Sequence, residues 1–182
     1  MLPAKAVIAF VAAQRLCELL LAARNTRRLR KSGAIEIDAG GYPAFVLLHA
    51  GWLATLFLAV PQTTVAFGPL LYAYGVLQLG RIWVIASLGR RWTTRILVIP
   101  GAPLVRRGPY RFLRHPNYVI VAAEIAVLPL ALGAVGTALV FSVLNALLLK
   151  RRIGIESRAL RQAADCRKPA LSRPLAGVRP VP

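Results

Sequence analysis

Acidic residues are scarce in this chain of 182 residues, where 6 Asp and Glu stand against 24 Lys and Arg. Charge of either sign is thin as well, at 16% of residues, whereas ordinary soluble domains carry about 25%. Together with 57% hydrophobic residues and a mean hydropathy of +0.60, this excludes a soluble globular domain. Only 2 cysteines occur, Cys17 in an apolar block and Cys166 in a basic tail; they exclude a disulfide scaffold and match no metal-ligand spacing. The 2 histidines, His49 and His115, exclude a multi-histidine site, and with no H-E-x-x-H pattern we expect no metal. The stretch Gly75 to Ile82, GVLQLGRI, lacks the Lys-Ser/Thr of a P-loop, and no G-x-G-x-x-G opens a strand-helix unit. No small-x-small cleavage site follows the first apolar block, which runs into Arg24, Asn25 and Thr26.

In a polar chain the formal charge of +18 would point to nucleic acid. Here the basic residues cluster between long apolar blocks, as they do when Lys and Arg are retained on one side of a bilayer. The expected partner is therefore membrane lipid and not nucleic acid. A spanning helix needs about 20 mostly apolar residues. Spans are expected at 4–23, 43–60 and 67–88, followed by a shorter pair at 118–132 and 135–149 that forms a helical hairpin turning at Leu132-Gly133-Ala134-Val135-Gly136. The fold class is thus an all-α integral membrane protein of about five transmembrane helices. Basic residues gather in the segment after the first span, in that after the third, and from Lys150 onward, while the connections 61–66 and 132–136 carry no charge. This places the N-terminus outside and the C-terminus in the cytoplasm of a multi-pass cytoplasmic-membrane protein. Residues 1–168 read as a single domain, and 169–182, rich in Pro and Arg and without periodicity, as a disordered tail.

Ionisable groups at membrane depth cost about 2.5–3.5 kcal/mol each on insertion scales, so each needs a partner, a wet cavity or a function. Arg15 and Glu18 lie three apart in the first span and share a helical face. They are either an internal ion pair that fixes packing or the polar wall of a substrate cavity. His49 reads first as a hydrogen-bonded interhelical residue and second as a catalyst. Glu124, alone in the fourth span, should face the bundle interior and meet a cation or a donor. The segment Gly89 to Tyr118, GRRWTTRILVIPGAPLVRRGPYRFLRHPNY, sets flat rings among arginines, with Pro100-Gly101 and Gly108-Pro109 as turn signals. Within it, Pro116 biases His115 away from helix and so presents a histidine at the mouth of the fourth helix. In Lys150 to Leu160, KRRIGIESRAL, Arg152 and Glu156 are four apart and share a face. The tight hairpin brings that face beside His115 and Tyr118, which makes a pocket at the cytosolic edge.

The run GPYRFLRHPNY, followed by a hydrophobic hairpin and R-I-x-x-E-x-x-x-L, resembles the isoprenylcysteine carboxyl methyltransferase superfamily of integral membrane methyltransferases over residues 72–162. The stretch QRLCELLLAARNTRRLRKSGAIEIDAGGYPAFVLLHAGW extends the likeness to a bacterial branch, associated with type III polyketide synthases, that O-methylates alkylpyrone or alkylresorcinol lipids. The resemblance implies a cytosol-facing pocket for S-adenosylmethionine. It implies that Pro103, Leu104, Val105 and Tyr110 line the cofactor, that His115, Pro116, Asn117 and Tyr118 cap it, and that Glu156 binds it. Arg152 matches the arginine associated with the methyl acceptor. Arg152, Glu156 and His115 are thereby the catalytic candidates, with His115 read first as a cofactor contact and second as a proton acceptor. Arg15, Glu18 and Glu124 join Arg152 as candidate contacts to a lipophilic acceptor. Two departures stand out: Ser157 follows Glu156 where many relatives have a second acidic residue, and Gly41 precedes Tyr42 where a polar residue is expected.

The function implied is S-adenosylmethionine-dependent O-methylation of a phenol, enol or carboxyl on a lipophilic acceptor, with a functional link to a type III polyketide synthase. An isoprenylcysteine-type carboxyl methyltransferase, an NADPH-dependent membrane reductase of the sterol-reductase-like type and a non-enzymatic membrane protein remain as alternatives.

Overall fold

The computed structural model describes residues 2–61, 64–65, 68–100, 102–103 and 105–165. Five helices make the body of the protein: α1 (Ala4–Lys31), α2 (Tyr42–Ala59), α3 (Pro69–Leu88), α4 (Pro116–Ala131) and α5 (Val135–Asp165). Of these, α1 to α3 are each long and apolar enough to cross a membrane, while α4 is apolar but shorter. Prolines open α3 and α4 and lie in the first turn of α2, where the missing N–H is one of the donors the first turn leaves free anyway.

The buried stripe of each helix follows the 3.6-residue period. In α1 it runs Ala4, Ile8, Val11, Arg15 and Ala22, in α2 Leu48, Trp52 and Leu56, and in α4 Val121, Glu124, Ile125 and Leu128. The apolar members of these stripes other than Ala22, with Tyr74 of α3, form the main core, while Ala22 packs with Val84 and Trp92 in a second, smaller cluster. Leu20, Leu47, Leu58, Leu79, Trp83 and Leu139 instead face outward, as lipid-facing positions do, because acyl chains are as apolar as the side chains themselves.

The helix α1 continues to Lys31, two turns past the expected end of the first span. Arg28, Arg30 and Lys31 occupy its last turn, where cations oppose the helix dipole. The expected hairpin joins α4 to α5 through Leu132, Gly133 and Ala134. Gly133 has φ 75°, its N–H bonds to Leu130 O and that of Ala134 to Pro129 O, which is a Schellman turn. Gly136 lies inside α5 and not in the turn.

Two short antiparallel strand pairs were not foreseen. Strand β1 (Leu2–Pro3) pairs with β3 (Thr64–Val65), and β2 (Ile35–Ile37) pairs with β4 (Ile96–Val98) in the register Ile35 to Val98, Glu36 to Leu97 and Ile37 to Ile96. Strands of two or three residues leave too little sequence for a period-two pattern to emerge. The second pair matters for the site, because it ties the basic loop after α1 to the basic loop after α3. Asn25 reinforces that link, its Nδ2 donating to Trp92 O at 2.8 Å.

Candidate functional site

At membrane depth the helices converge on four charges. Arg15 Nη1 meets Glu18 Oε2 at 2.7 Å and Arg15 Nη2 meets Glu124 Oε2 at 3.0 Å. Arg81, in the buried stripe of α3, reaches Glu124 Oε2 at 3.0 Å and Glu18 Oε1 at 3.3 Å. Gln78 Nε2 donates to Glu124 Oε1 at 2.8 Å, and Gln14 Nε2 donates to Gln78 Oε1 at 2.6 Å. The expected Arg15 and Glu18 pair is therefore half of a neutral quartet spanning α1, α3 and α4, and Glu124 has the cationic company its burial demands. Arg81, Gln14 and Gln78 escaped the sequence reading. Arg81 had a signal, a guanidinium in the middle of an apolar block, and Gln78 stands one turn before it.

At the basic end a second cluster forms where α5 passes the start of α4. Arg152 Nε donates to the Tyr118 hydroxyl at 2.8 Å, and Arg152 Nη2 donates to Thr94 O at 2.7 Å. The Tyr118 hydroxyl in turn donates to Glu156 Oε2. His115, the N-cap residue of α4, stacks on Tyr118 with ring centroids 5.4 Å apart. Its Nδ1 lies 3.8 Å from Glu156 Oε2, and its Nε2 lies 3.3 Å from Ser157 Oγ. Ser157, at the position where a second carboxylate was expected, thus touches the histidine. The guanidinium of Arg152 also lies 4.9 Å from the centre of the Phe45 ring, within cation–π range.

The loop strands brace this cluster. Glu36 of β2 takes Arg95 Nη1 at 2.5 Å and also pairs with Arg30. Burial pushes the Glu36 carboxyl up, but hydrogen bonds from Arg95 and Arg30 outweigh it and hold the group below its ordinary range. Arg95 also lies over the Tyr42 ring at 4.1 Å. Asp38 binds Arg151 Nη2 at 2.8 Å, directly over Gly41, where a Cβ would come 2.5 Å from the Arg151 guanidinium. A polar side chain at position 41 would displace this pair. Gly108, with φ 56°, sits against Ser87 and Trp83 with no room for a Cβ, and it lets the Gly-Pro-Tyr turn lie on α3. Burial, and behind it the Glu156 carboxylate, push the Tyr110 phenol well above its ordinary value, so Tyr110 is a donor at neutral pH.

One cavity of about 360 Å³ joins the two clusters, in the size range of small-molecule sites. Arg15, Glu18 and Arg81 line its deep part, and Tyr110, His115, Tyr118, Arg152 and Glu156 its basic end. Asn117 also reaches the wall, with its Oδ1 3.5 Å from Arg81 Nη1. Glu124 sits behind the wall, enclosed by Arg15 and Arg81. Pro103 and Val105 lie off the wall, the Pro103 carbonyl accepting from Arg91 Nη1 at 2.7 Å, and Pro116 is buried in the first turn of α4. Leu104, Gly101, Cys166 and the tail fall outside the described residues. His49 does line the cavity, yet its hydrogen bond is not interhelical: Nδ1 lies 2.8 Å from the carbonyl of Phe45 in its own helix. The i to i−4 carbonyl is the nearest acceptor available to a histidine inside a helix. Among the described residues no group of three or more His, Cys, Asp or Glu is placed to hold a metal ion.

Comparison with known proteins adds to this geometry. Residues 70–162, half of the chain, match the family described as the isoprenylcysteine carboxyl methyltransferase (ICMT) family. The chain is 36% identical over 160 residues to the uncharacterized protein YpbQ of Bacillus subtilis, an alignment that covers 86% of this chain and 95% of that protein. It is 26% identical over 161 residues to an uncharacterized protein of Haemophilus influenzae, covering 84% of this chain and 91% of the relative. No solved structure matches the chain.

Proposed function

The chain belongs to the isoprenylcysteine carboxyl methyltransferase family, and from that premise we propose that it transfers a methyl group from S-adenosylmethionine to an oxygen of a lipophilic acceptor in the membrane. The observation that carries this reading is the continuous cavity that runs from an ionic cluster at the basic end to walls within the helix bundle. It offers chemistry for both reactants. Glu156 and the Tyr110 and Tyr118 hydroxyls suit a cationic, adenine-bearing cofactor, and Arg114 on the same wall suits its carboxylate. Phe45, Val46, Ala50 and Leu53 of α2 give the deeper wall an apolar face for an alkyl or prenyl chain. The donor set therefore fits the cofactor.

When bound, the cofactor supplies an electrophilic methyl on a sulfonium. The chain has only to bind, align and stabilise charge, and alignment alone can contribute roughly 7–11 kcal/mol. Arg152 holds the acceptor oxygen, because a guanidinium stays charged and offers a fork of donors. Glu156 and Tyr118 hold the cofactor, with His115 stacked against Tyr118 as a positioning contact. In this orientation the C-terminal end of α5 faces the cytosol, the N-terminus lies outside, and the basic rim draws in an anionic or zwitterionic ligand from water. Alkylpyrones or alkylresorcinols, products of a type III polyketide synthase, are the acceptors that the resemblance favours.

The test is calorimetric titration of the detergent-purified protein with S-adenosylhomocysteine, with NADPH as control. We expect S-adenosylhomocysteine to bind and NADPH not to bind. Glu156→Ala should weaken binding about 30-fold or more, as expected for losing a charge-assisted hydrogen bond worth roughly 2 kcal/mol. Binding of NADPH in place of S-adenosylhomocysteine would replace this reading with a reductase, and binding of neither by folded protein would favour a non-enzymatic role.

A further inference from the structure

A phenol or enol attacks a sulfonium methyl well only as it loses its proton, and the groups of the cluster at the basic end are largely engaged with one another. Tyr118 already donates to Glu156 and accepts from Arg152. Glu156 Oε2 accepts from Tyr118, Arg152 is a permanent cation, and the His115 Nε2 lies 3.3 Å from Ser157 Oγ. His49 differs from all of these. Its Nδ1 faces the Phe45 carbonyl at 2.8 Å, and a carbonyl can only accept, so Nδ1 carries the ring proton. The tautomer is thereby set, and Nε2 bears a lone pair. Among the described residues no group hydrogen-bonds to that nitrogen, the ring being otherwise packed edge-on to Trp52 with centroids 6.5 Å apart. His49 also lines the cavity, one helical turn beyond the Phe45 ring on which Arg152 lies.

We propose that His49 is the general base of this site, its Nε2 taking the proton from an acceptor hydroxyl held by Arg152. The proposal rests on the methyltransferase reading and deepens it. In the step, the acceptor O–H bond breaks and its proton passes to His49 Nε2. The oxygen forms a bond to the methyl carbon, and the electron pair of the broken C–S bond returns to sulfur, leaving a neutral thioether. The imidazolium then gives its proton to water at the cavity mouth. Arg15 and Glu18 of α1 and Arg81 of α3 face the ring electrostatically, while Arg152 and Glu156 of α5 and His115 of α4 share its cavity.

The experiment measures methyl transfer from radiolabelled S-adenosylmethionine to a long-chain alkylphenol and, separately, to a prenylated thioether carboxylate, using wild-type protein, His49→Ala and His49→Gln in lipid nanodiscs. We expect transfer to the alkylphenol, lowered about 10²- to 10⁴-fold in both variants, with S-adenosylhomocysteine affinity unchanged as proof that the cofactor pocket is intact. The residual rate of the variants should climb about tenfold per pH unit toward the pKa of the phenol, whereas the wild-type rate levels off earlier. Variants within about twofold of wild type, or with its pH profile, overturn the role of His49. A wild-type protein that methylates only the carboxylate, or that binds S-adenosylhomocysteine but leaves the phenol untouched, overturns the role of His49 while sparing the methyltransferase reading. Failure to bind S-adenosylhomocysteine at all overturns both.

Discussion

Two ionic clusters line one cavity, and they are built on opposite terms. The quartet at membrane depth is closed: Arg15 and Arg81 against Glu18 and Glu124 leave no net charge, and Gln14 and Gln78 occupy remaining positions. The cluster at the basic end is open, because Arg152 spends donors on a hydroxyl and a backbone carbonyl and, among the described residues, meets no carboxylate directly. The arginines themselves do not differ in burial, Arg15 and Arg152 both being 9% exposed; the carboxylates do, with the Glu124 side chain 2% exposed and that of Glu156 25%. A carboxylate shut away from water must be answered by its opposite charge, whereas Glu156 is partly solvated and leaves Arg152 to neutral acceptors. One cluster therefore holds helices together, and the other is poised to bind.

The contrast predicts which substitution damages what, and the largest effect falls on the closed cluster. Glu124→Ala leaves two buried guanidinium groups facing one carboxylate and should cost about 3–5 kcal/mol of stability, read as a lowered midpoint of denaturant unfolding in detergent. A loss below about 1 kcal/mol would show that the quartet is not what fastens α1, α3 and α4. Next comes the open cluster, where Arg152→Ala should lower kcat/KM about 10²- to 10³-fold, the usual effect of removing an oxyanion donor. Its affinity for S-adenosylhomocysteine should survive, and a parallel loss of cofactor binding would erase the division between Arg152 and Glu156.

The smallest effect concerns the strand pair that carries the open cluster. The Glu36 carboxyl is held below its ordinary value of 4.5, so its stabilising contribution is complete above that pH and fades as pH falls through the lowered value. Glu36→Gln should cost about 0.5–1 kcal/mol near neutrality, the range of exposed ion pairs. The gap from wild type should close on acidification, and a gap that stays constant down to the lowest pH at which the protein folds would remove Glu36 from the account.

Much of this was legible along the chain, for reasons that differ from residue to residue. The Arg15 and Glu18 pair follows from helical spacing, and the proximity of His115 and Tyr118 to Arg152 and Glu156 from the short hairpin between α4 and α5. The membership of Arg81 in the quartet was not, although a lone guanidinium in an apolar block signals that some partner exists. Which partner depends on how α3 sits against α1 and α4. The pairing of β2 with β4 was hidden because three residues carry no periodicity. His49 was expected to bond across helices and instead bonds within its own, since a carbonyl four residues back is always in reach.

Hydropathy and the clustering of basic residues are properties of single segments, and so the chain alone determined that this is a helical membrane protein of about five helices with its basic loops at one end. Its motifs likewise determined the family. Only the tertiary structure decided that four charges from three helices cancel one another, that Arg152 rests on Tyr118 and a backbone carbonyl, and that His49 lines the same cavity. Those outcomes depend on distances of about 3 Å between residues far apart in sequence, and energies at that range are set by packing and orientation, which no one-dimensional pattern encodes.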